Sequence, residues 1–141
     1  MNKQKLSDEE INQELKRIER TEVNDSTISY AIEKEEYINK ISKKGPLLDK
    51  VAELKLLFEM LKNNGKKNNR GEKFSISPAA LAIVVGALLY VISPIDVIPD
   101  AIPIVGFIDD AAIITAAITQ IKKIGDDIKN YKKWKEESEI D

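Results

Sequence analysis

The chain has 141 residues, of which 43% are hydrophobic and 33% charged, and its formal net charge at pH 7 is −2. This length fits one domain, or one small domain with an appendage, and the charge balance argues against a dedicated nucleic-acid binder, whose surface is usually strongly basic. Because the chain has no cysteine and no histidine, disulfides, Ser-His-Asp or Cys-His catalytic sets and zinc sites built on these residues are excluded.

The first 44 residues predict two amphipathic helices with narrow apolar stripes. Ser7 and Glu10 have the spacing of a capping box, so a first helix starts directly after Ser7. The Asn24–Ser26 segment breaks this helix and offers the next cap, and a second helix follows over about Thr27–Lys43. The opening residues are polar and acidic, which predicts no signal peptide. We expect residues 1–44 to form a helical appendage.

The middle of the chain predicts one amphipathic and one fully apolar helix. Gly45-Pro46 is a typical helix boundary, and the helix predicted over 46–62 has the clearest apolar face in the chain. After a polar, basic loop, Ser77-Pro78 opens a fourth helix that continues to about Ile92. No residue from Phe74 to Ile95 is charged. A helix that is apolar on all sides is buried in protein or in lipid.

A fifth helix is predicted to start near Asp109–Asp110 and to continue to about Glu137. Its first part is apolar, and its second part is amphipathic and rich in lysine. No strand alternation or hairpin turn is present, so we predict an all-α fold built on an apolar helical hairpin, about 78–92 and 110–137. Residues 45–125 would form the hairpin domain, and 126–141 a charged C-terminal tail.

The hairpin is joined by Ser93–Asp110, SPIDVIPDAIPIVGFIDD, which contains four aspartates and three prolines. In one interpretation the aspartates are helix caps and turn residues, with Ser93 capping a short turn that begins at Pro94. In the other they converge on a hard cation, Ca²⁺ or Mg²⁺, because no lysine or arginine lies between Lys73 and Lys122 to neutralise them. Their spacing is not that of an EF-hand loop. The candidate ligands are Asp96, Asp100, Asp109 and Asp110, and we expect no other cofactor.

The run Leu88–Asp110 resembles the signature of the YkvA-like family, a bacterial domain of unknown function. The resemblance covers roughly Gly45–Ile124 and implies a helical hairpin, often regarded as membrane-associated, with no established activity. The residues that match the family motif are Tyr90, Ser93-Pro94-Ile95-Asp96, Ile98-Pro99-Asp100, Pro103, Gly106 and Asp109-Asp110.

The apolar hairpin leaves two locations open. Its fourth helix offers roughly 15 apolar residues, fewer than the about 20 of a straight membrane span, so residues 78–121 either enter lipid shallowly or are covered by the chain's own helices. Basic segments flank the hairpin on both sides, which favours anionic lipid on the cytoplasmic side of a membrane. Tyr131 and Trp134 would suit a membrane interface.

Two functions follow from these locations. The first is a non-enzymatic, membrane-associated helical module that scaffolds or docks a protein partner. The alternative is a soluble cytoplasmic interaction protein, of the immunity or antitoxin kind, that binds its partner through the N-terminal helices. An enzyme based on carboxylates is disfavoured because the aspartates stand among apolar residues rather than in a polar cleft.

Overall fold

The computed structural model describes residues 7–43, 45–96 and 110–140, and within these ranges the regular structure is helical. The predicted all-α class is confirmed. Lys67 and Lys73 form an isolated antiparallel bridge in a loop. The helices are α1 (Asp8–Glu19), α2 (Asp25–Glu33), α3 (Glu35–Ser42), a 3-10 helix (Gly45–Lys50), α4 (Val51–Asn63), α5 (Pro78–Asp96), α6 (Asp110–Ile124) and α7 (Asp127–Ile140).

The first two helices begin at capping boxes. The Ser7 hydroxyl accepts a hydrogen bond from the Glu10 backbone N–H at 3.1 Å, and the Glu10 carboxylate accepts one from the Ser7 N–H at 2.8 Å. Asn24 and Thr27 repeat this exchange at the start of α2, at 2.9 and 3.0 Å. Each box satisfies backbone donors that the first helical turn leaves unpaired. The predicted cap at Ser7 is therefore confirmed.

Two predicted helices are divided in the structure. The helix predicted over 27–43 is α2 and α3, which meet at a turn at Lys34. The helix predicted over 110–137 is α6 and α7, which Gly125 and Asp126 separate. The Asp126 carbonyl accepts the first hydrogen bond of α7, from the Asn130 N–H at 2.8 Å. A carboxylate-bearing residue is favourable at this position because the helix dipole is positive at its N-terminus.

Two other predicted boundaries are also moved. The helix predicted over 46–62 begins as a 3-10 helix and becomes α-helical only at Val51. Helix α5 does not end at Ile92 but continues through Ser93 and Pro94 to Asp96, so the predicted cap at Ser93 is wrong. Pro94 has no backbone N–H, so the last turn of α5 lacks one helical hydrogen bond, and the helix ends two residues later at Asp96.

Helix α5 is the centre of the hydrophobic core. From Ala82 to Leu88 every residue is buried, as are Val91 and Ile92. The other helices supply buried side chains around it, and α1, α2 and α3 contribute Ile18, Ala31 and Ile38. Burying each large aliphatic side chain contributes about 1.5–3 kcal/mol. The apolar helix is thus covered by other helices of the same chain.

Within the ranges that the structure describes, no helix is both long enough and apolar enough to cross a membrane.

Gly86 allows the end of α1 to lie directly against α5. A Cβ atom at this position would stand 2.8 Å from Ile18 Cγ2 and 2.9 Å from the Ile18 carbonyl oxygen, and it would also overlap Thr21 Oγ1. The Thr21 hydroxyl donates to the Ile18 carbonyl at 2.6 Å, which holds this side chain against the end of α1. The lack of a side chain at Gly86 therefore fixes how closely α1 and α5 approach.

Candidate functional site

The structure describes two of the four candidate cation ligands. Asp96 is the last residue of α5, and Asp110 is the first residue of α6, where its side chain is 1% exposed. Asp100 and Asp109 lie outside the described residues. A carboxylate at the N-terminus of α6 is favoured by the helix dipole. Among the described residues no three acidic side chains could hold a metal ion together, and the four-aspartate cation site stays a prediction.

A carboxylate that no local sequence pattern indicates supports the cap of the central helix. Ser77 accepts a hydrogen bond from the Ala80 N–H at 3.3 Å, which confirms the predicted cap of α5. Its hydroxyl in turn donates to Asp127 Oδ2 at 2.7 Å, and its backbone N–H reaches Asp127 Oδ1 at 3.4 Å. Asp127 is 8% exposed. Fifty residues separate the two partners, so only the fold brings them together.

The loop before α5 and helix α7 are held together by an aromatic cluster of Phe74, Tyr131 and Trp134, with ring centroids 5.0 to 5.9 Å apart. The Trp134 indole N–H donates to the Glu72 carbonyl at 2.7 Å, and the Asn68 amide donates to the Trp134 carbonyl at 3.2 Å. Tyr131 is 2% exposed and Trp134 is half-buried. The prediction that Tyr131 suits a membrane interface is wrong, since this ring is part of the core.

This docking brings the two basic segments of the chain together. Residues 62–73 contain five basic side chains and one acidic one, and residues 122–135 contain six basic and two acidic ones. The two segments thus carry eight positive charges in excess, in a chain whose net charge is −2. Ion pairs use part of this charge, as between Arg70 and Glu137 at 3.9 Å. The remainder gives the molecule a basic region made of residues 62–73 and 122–135, whereas α7 as a whole is formally neutral because Glu136, Glu137 and Glu139 follow Lys135.

An open groove of about 460 Å³ lies beside the basic region, between α4, α6 and α7. Its apolar lining includes the half-buried Leu56 and the buried Ile118 and Ile128. Its polar lining is dominated by lysines, one or two from each helix, and the lysines are Lys55, Lys122, Lys132 and Lys135. The periodicity of the three helices predicts their apolar faces but not that lysines from all three surround one groove.

Part of the lining of the groove is formed by a hydrogen-bonded network around Glu59. Its Oε1 atom accepts from the Tyr131 hydroxyl and from Lys135 Nζ, both at 2.8 Å, and the Asn63 amide donates to the Tyr131 oxygen at 3.1 Å. Burial raises the pKa of Glu59, but the hydrogen bonds from Lys135 and Tyr131 and the positive charges of Lys135 and Lys55 outweigh it. The pKa of this carboxyl therefore lies below its ordinary value, and Glu59 is ionised at neutral pH.

The comparisons with known proteins concern the hairpin segment. Residues 80–116 match the family described as "Protein of unknown function (DUF1232)". Over 55 residues the chain is 44% identical to the "Uncharacterized membrane protein YkvA" of Bacillus subtilis (strain 168), which covers 39% of this chain and 49% of that protein. The match thus spans about half the length of that relative. No solved structure matches the chain. The predicted resemblance to the YkvA-like family is confirmed.

Proposed function

We propose that this chain, whose residues 80–116 carry the DUF1232 segment, is a non-enzymatic helical module that associates with the cytoplasmic face of a membrane and holds a protein partner there. The observation that carries the proposal is the convergence of residues 62–73 and 122–135 into one basic region. A relative that is named a membrane protein supports it.

The charge distribution supports attachment to a surface. Exposed lysines near an anionic membrane contribute about 1 kcal/mol each. The basic region has eight positive charges in excess, so the remainder of a chain with net charge −2 is strongly acidic. Such an asymmetric molecule is oriented by the field of an anionic membrane, with residues 62–73 and 122–135 toward the lipid and the more acidic segments away from it.

The packing of α5 favours surface attachment over insertion. Residues 82–88 are buried against the chain's own helices, and exposing them to lipid would require α1 and α4 to leave the core. Lipid would then replace contacts that the protein already makes, so insertion gains little apolar burial. We therefore assign membrane contact to the basic region rather than to residues 78–121.

Vesicle sedimentation tests the membrane attachment. We expect the protein to sediment with vesicles that contain about one third phosphatidylglycerol, and to stay in the supernatant with vesicles of phosphatidylcholine alone. Raising the salt from about 50 to about 500 mM should release it, because the screening length falls from roughly 10 Å at about 0.1 M salt to about 3 Å at about 1 M. Recovery entirely in the supernatant with anionic vesicles at the lower salt concentration would contradict the proposal.

The alternative function, a soluble immunity-like or antitoxin-like protein, makes a different prediction in the same experiment. The apolar faces of α1, α2 and α3 pack into the core of the molecule, where Ile18, Ala31 and Ile38 are buried. A partner would therefore bind the outward, charged face of α1, which includes Asp8 and Glu9. This alternative would be supported if the protein does not sediment with vesicles but forms a stoichiometric complex with a protein partner, and if Glu9→Lys disrupts that complex.

A further inference from the structure

The groove between α4, α6 and α7 has the two chemistries of an amphiphile binder. Its volume of about 460 Å³ lies within the range of roughly 300–1,000 Å³ that is typical of small-molecule sites. The apolar part, which includes Leu56, Ile118 and Ile128, would contact hydrocarbon. The lysines at its edges would contact an anion.

The charges that line the groove favour an anionic ligand. Of the two acidic side chains in the lining, Glu59 is paired with Lys135 at 2.8 Å, and Glu53 lies at the longer distance of 4.0 Å from Lys50. In contrast, Lys55, Lys122 and Lys132 form no salt bridge with any residue that the structure describes. The charge of Lys55 acts on Glu59 from a longer distance, and Lys122 and Lys132 are not among the charges that lower the pKa of Glu59. All three ammonium groups line the groove together with its apolar side chains, where a phosphate would pair with them.

The surroundings of the groove favour a ligand with hydrocarbon chains over a free phosphate ester. Among the described residues the large apolar side chains that are exposed are Leu48, Val51 and Ile124, at 55%, 39% and 42%. Val51 directly precedes the lining residue Ala52 on α4, whereas the helical spacing places Ile124 on the side of α6 away from Ile118 and Lys122. A ligand with chains longer than the groove would find further apolar surface at Val51, beside the Ala52 end of the lining.

We propose that the groove binds one anionic phospholipid molecule, with the phosphate among Lys55, Lys122 and Lys132 and the first part of the acyl chains over Leu56 and Ile118. The inference rests on the proposed function, because it names the ligand through which the basic region contacts a membrane. It adds a specific site to what would otherwise be charge attraction alone.

Titration of the full chain with dihexanoyl phosphatidylglycerol, below the concentration at which it forms micelles, tests the site without vesicles. We expect saturable chemical-shift changes of the backbone amides that line the groove in ¹H–¹⁵N spectra.

The double variant Lys122→Gln/Lys132→Gln should weaken binding about tenfold or more. The matched variant Lys123→Gln/Lys133→Gln removes the same charge from neighbouring exposed positions outside the lining and should change binding less than about twofold. Ala52→Trp, at an exposed lining position, should fill the groove and abolish saturation without changing charge.

The outcomes separate the ligands. Equal affinity for glycerol 3-phosphate would overturn the lipid assignment and identify a free phosphate ester as the ligand, and equal affinity for dihexanoyl phosphatidylcholine would overturn the role of the lysines. Equal losses of affinity in the two double-lysine variants would show general electrostatic attraction and would also overturn the groove proposal.

If anionic vesicles still bind the Ala52→Trp variant while monomeric lipid binds neither this variant nor the unsubstituted protein, the groove proposal fails and the proposed function stands. Saturable binding of monomeric lipid without vesicle binding would support the groove and contradict the proposed function.

Discussion

Gly86 is the residue whose substitution best tests how the N-terminal helices are attached. Alanine is normally about 1 kcal/mol more favourable than glycine inside a helix. Here the added Cβ would meet Ile18 atoms at 2.8 and 2.9 Å, so we expect Gly86→Ala to destabilise the protein by about 1–3 kcal/mol. Urea unfolding measures the change.

Gly125→Ala is the matched control for this substitution. A Cβ atom at Gly125 would meet no other atom within 4 Å, and we expect a change of less than about 0.5 kcal/mol. If Gly86→Ala were as stable as the unsubstituted protein, the close contact between α1 and α5 would be refuted.

Glu59 makes the stability of the fold depend on pH. Its pKa is lowered from 4.5 in the folded state, so the ionised carboxylate stabilises the protein well above pH 4.5, and this contribution is lost as the pH falls through the folded-state pKa. Glu59→Gln should reduce stability at pH 7 by about 0.5–1 kcal/mol, since the side chain is partly solvated. The difference from the unsubstituted protein should shrink at pH 3.

Thermal unfolding at pH 7, 5 and 3 measures this dependence. Glu53→Gln is the comparison, because the Glu53 carboxylate contacts Lys50 only at 4.0 Å and should contribute less at pH 7. A Glu59→Gln difference that stays the same from pH 7 to pH 3 would show that the hydrogen bonds to Glu59 do not depend on its charge, contrary to the structure.

At the level of helices, the start of α5 depends on a residue from α7. Ser77→Ala removes both the cap on the Ala80 N–H and the hydroxyl that donates to Asp127. We expect a loss of about 1 kcal/mol in the free energy of unfolding, as is typical of N-caps. Ser75→Ala, an exposed serine two residues earlier, should change it by less than about 0.5 kcal/mol. Similar denaturation midpoints for the two variants would argue against the cap.

Local signals predict the helix starts of this chain better than its helix ends. Residue type and spacing alone indicate the cap at Ser7, a cap within Asn24–Ser26 and the cap at Ser77, because capping is a local interaction. Gly125-Asp126 carries an equally local signal for the break between α6 and α7, a glycine followed by an acidic cap, which the lysine-rich periodicity around it obscures. The turn at Lys34 has no such signal, since Glu33, Lys34 and Glu35 all favour helix, and tertiary packing sets it.

The candidate site is much less predictable than the helices. The acidic stretch stands out because its four aspartates are close in sequence, whereas the groove lysines come from three helices and are up to 80 positions apart. The network of Glu59, Tyr131 and Asn63 spans as much as 72 positions. Spacing rules describe neighbours within one helix, and a site built across helices becomes visible only when their packing is known.

For the whole molecule, the sequence leaves open whether lipid or protein covers the apolar hairpin. The decisive information is the geometry of α1, α2 and α4 around α5, and it depends on single close contacts such as that at Gly86. Apolar length alone indicates a helix shorter than a membrane span but does not identify what surrounds it. The same limit applies to the basic region, which forms because α7 folds back onto the loop at residues 64–77.

The start of α5 and the loop before it are held by the carboxylate of Asp127 and the rings of Tyr131 and Trp134. These side chains come about fifty residues later in the chain. During synthesis on the ribosome, α1 to α5 are therefore made well before their last supports exist. Until residues 127–138 have left the exit tunnel, Phe74 and the start of α5 stay uncovered, and the nascent chain passes through an aggregation-prone stage. A chaperone that binds apolar segments would be expected to engage the polypeptide in this interval and to be released once α7 docks.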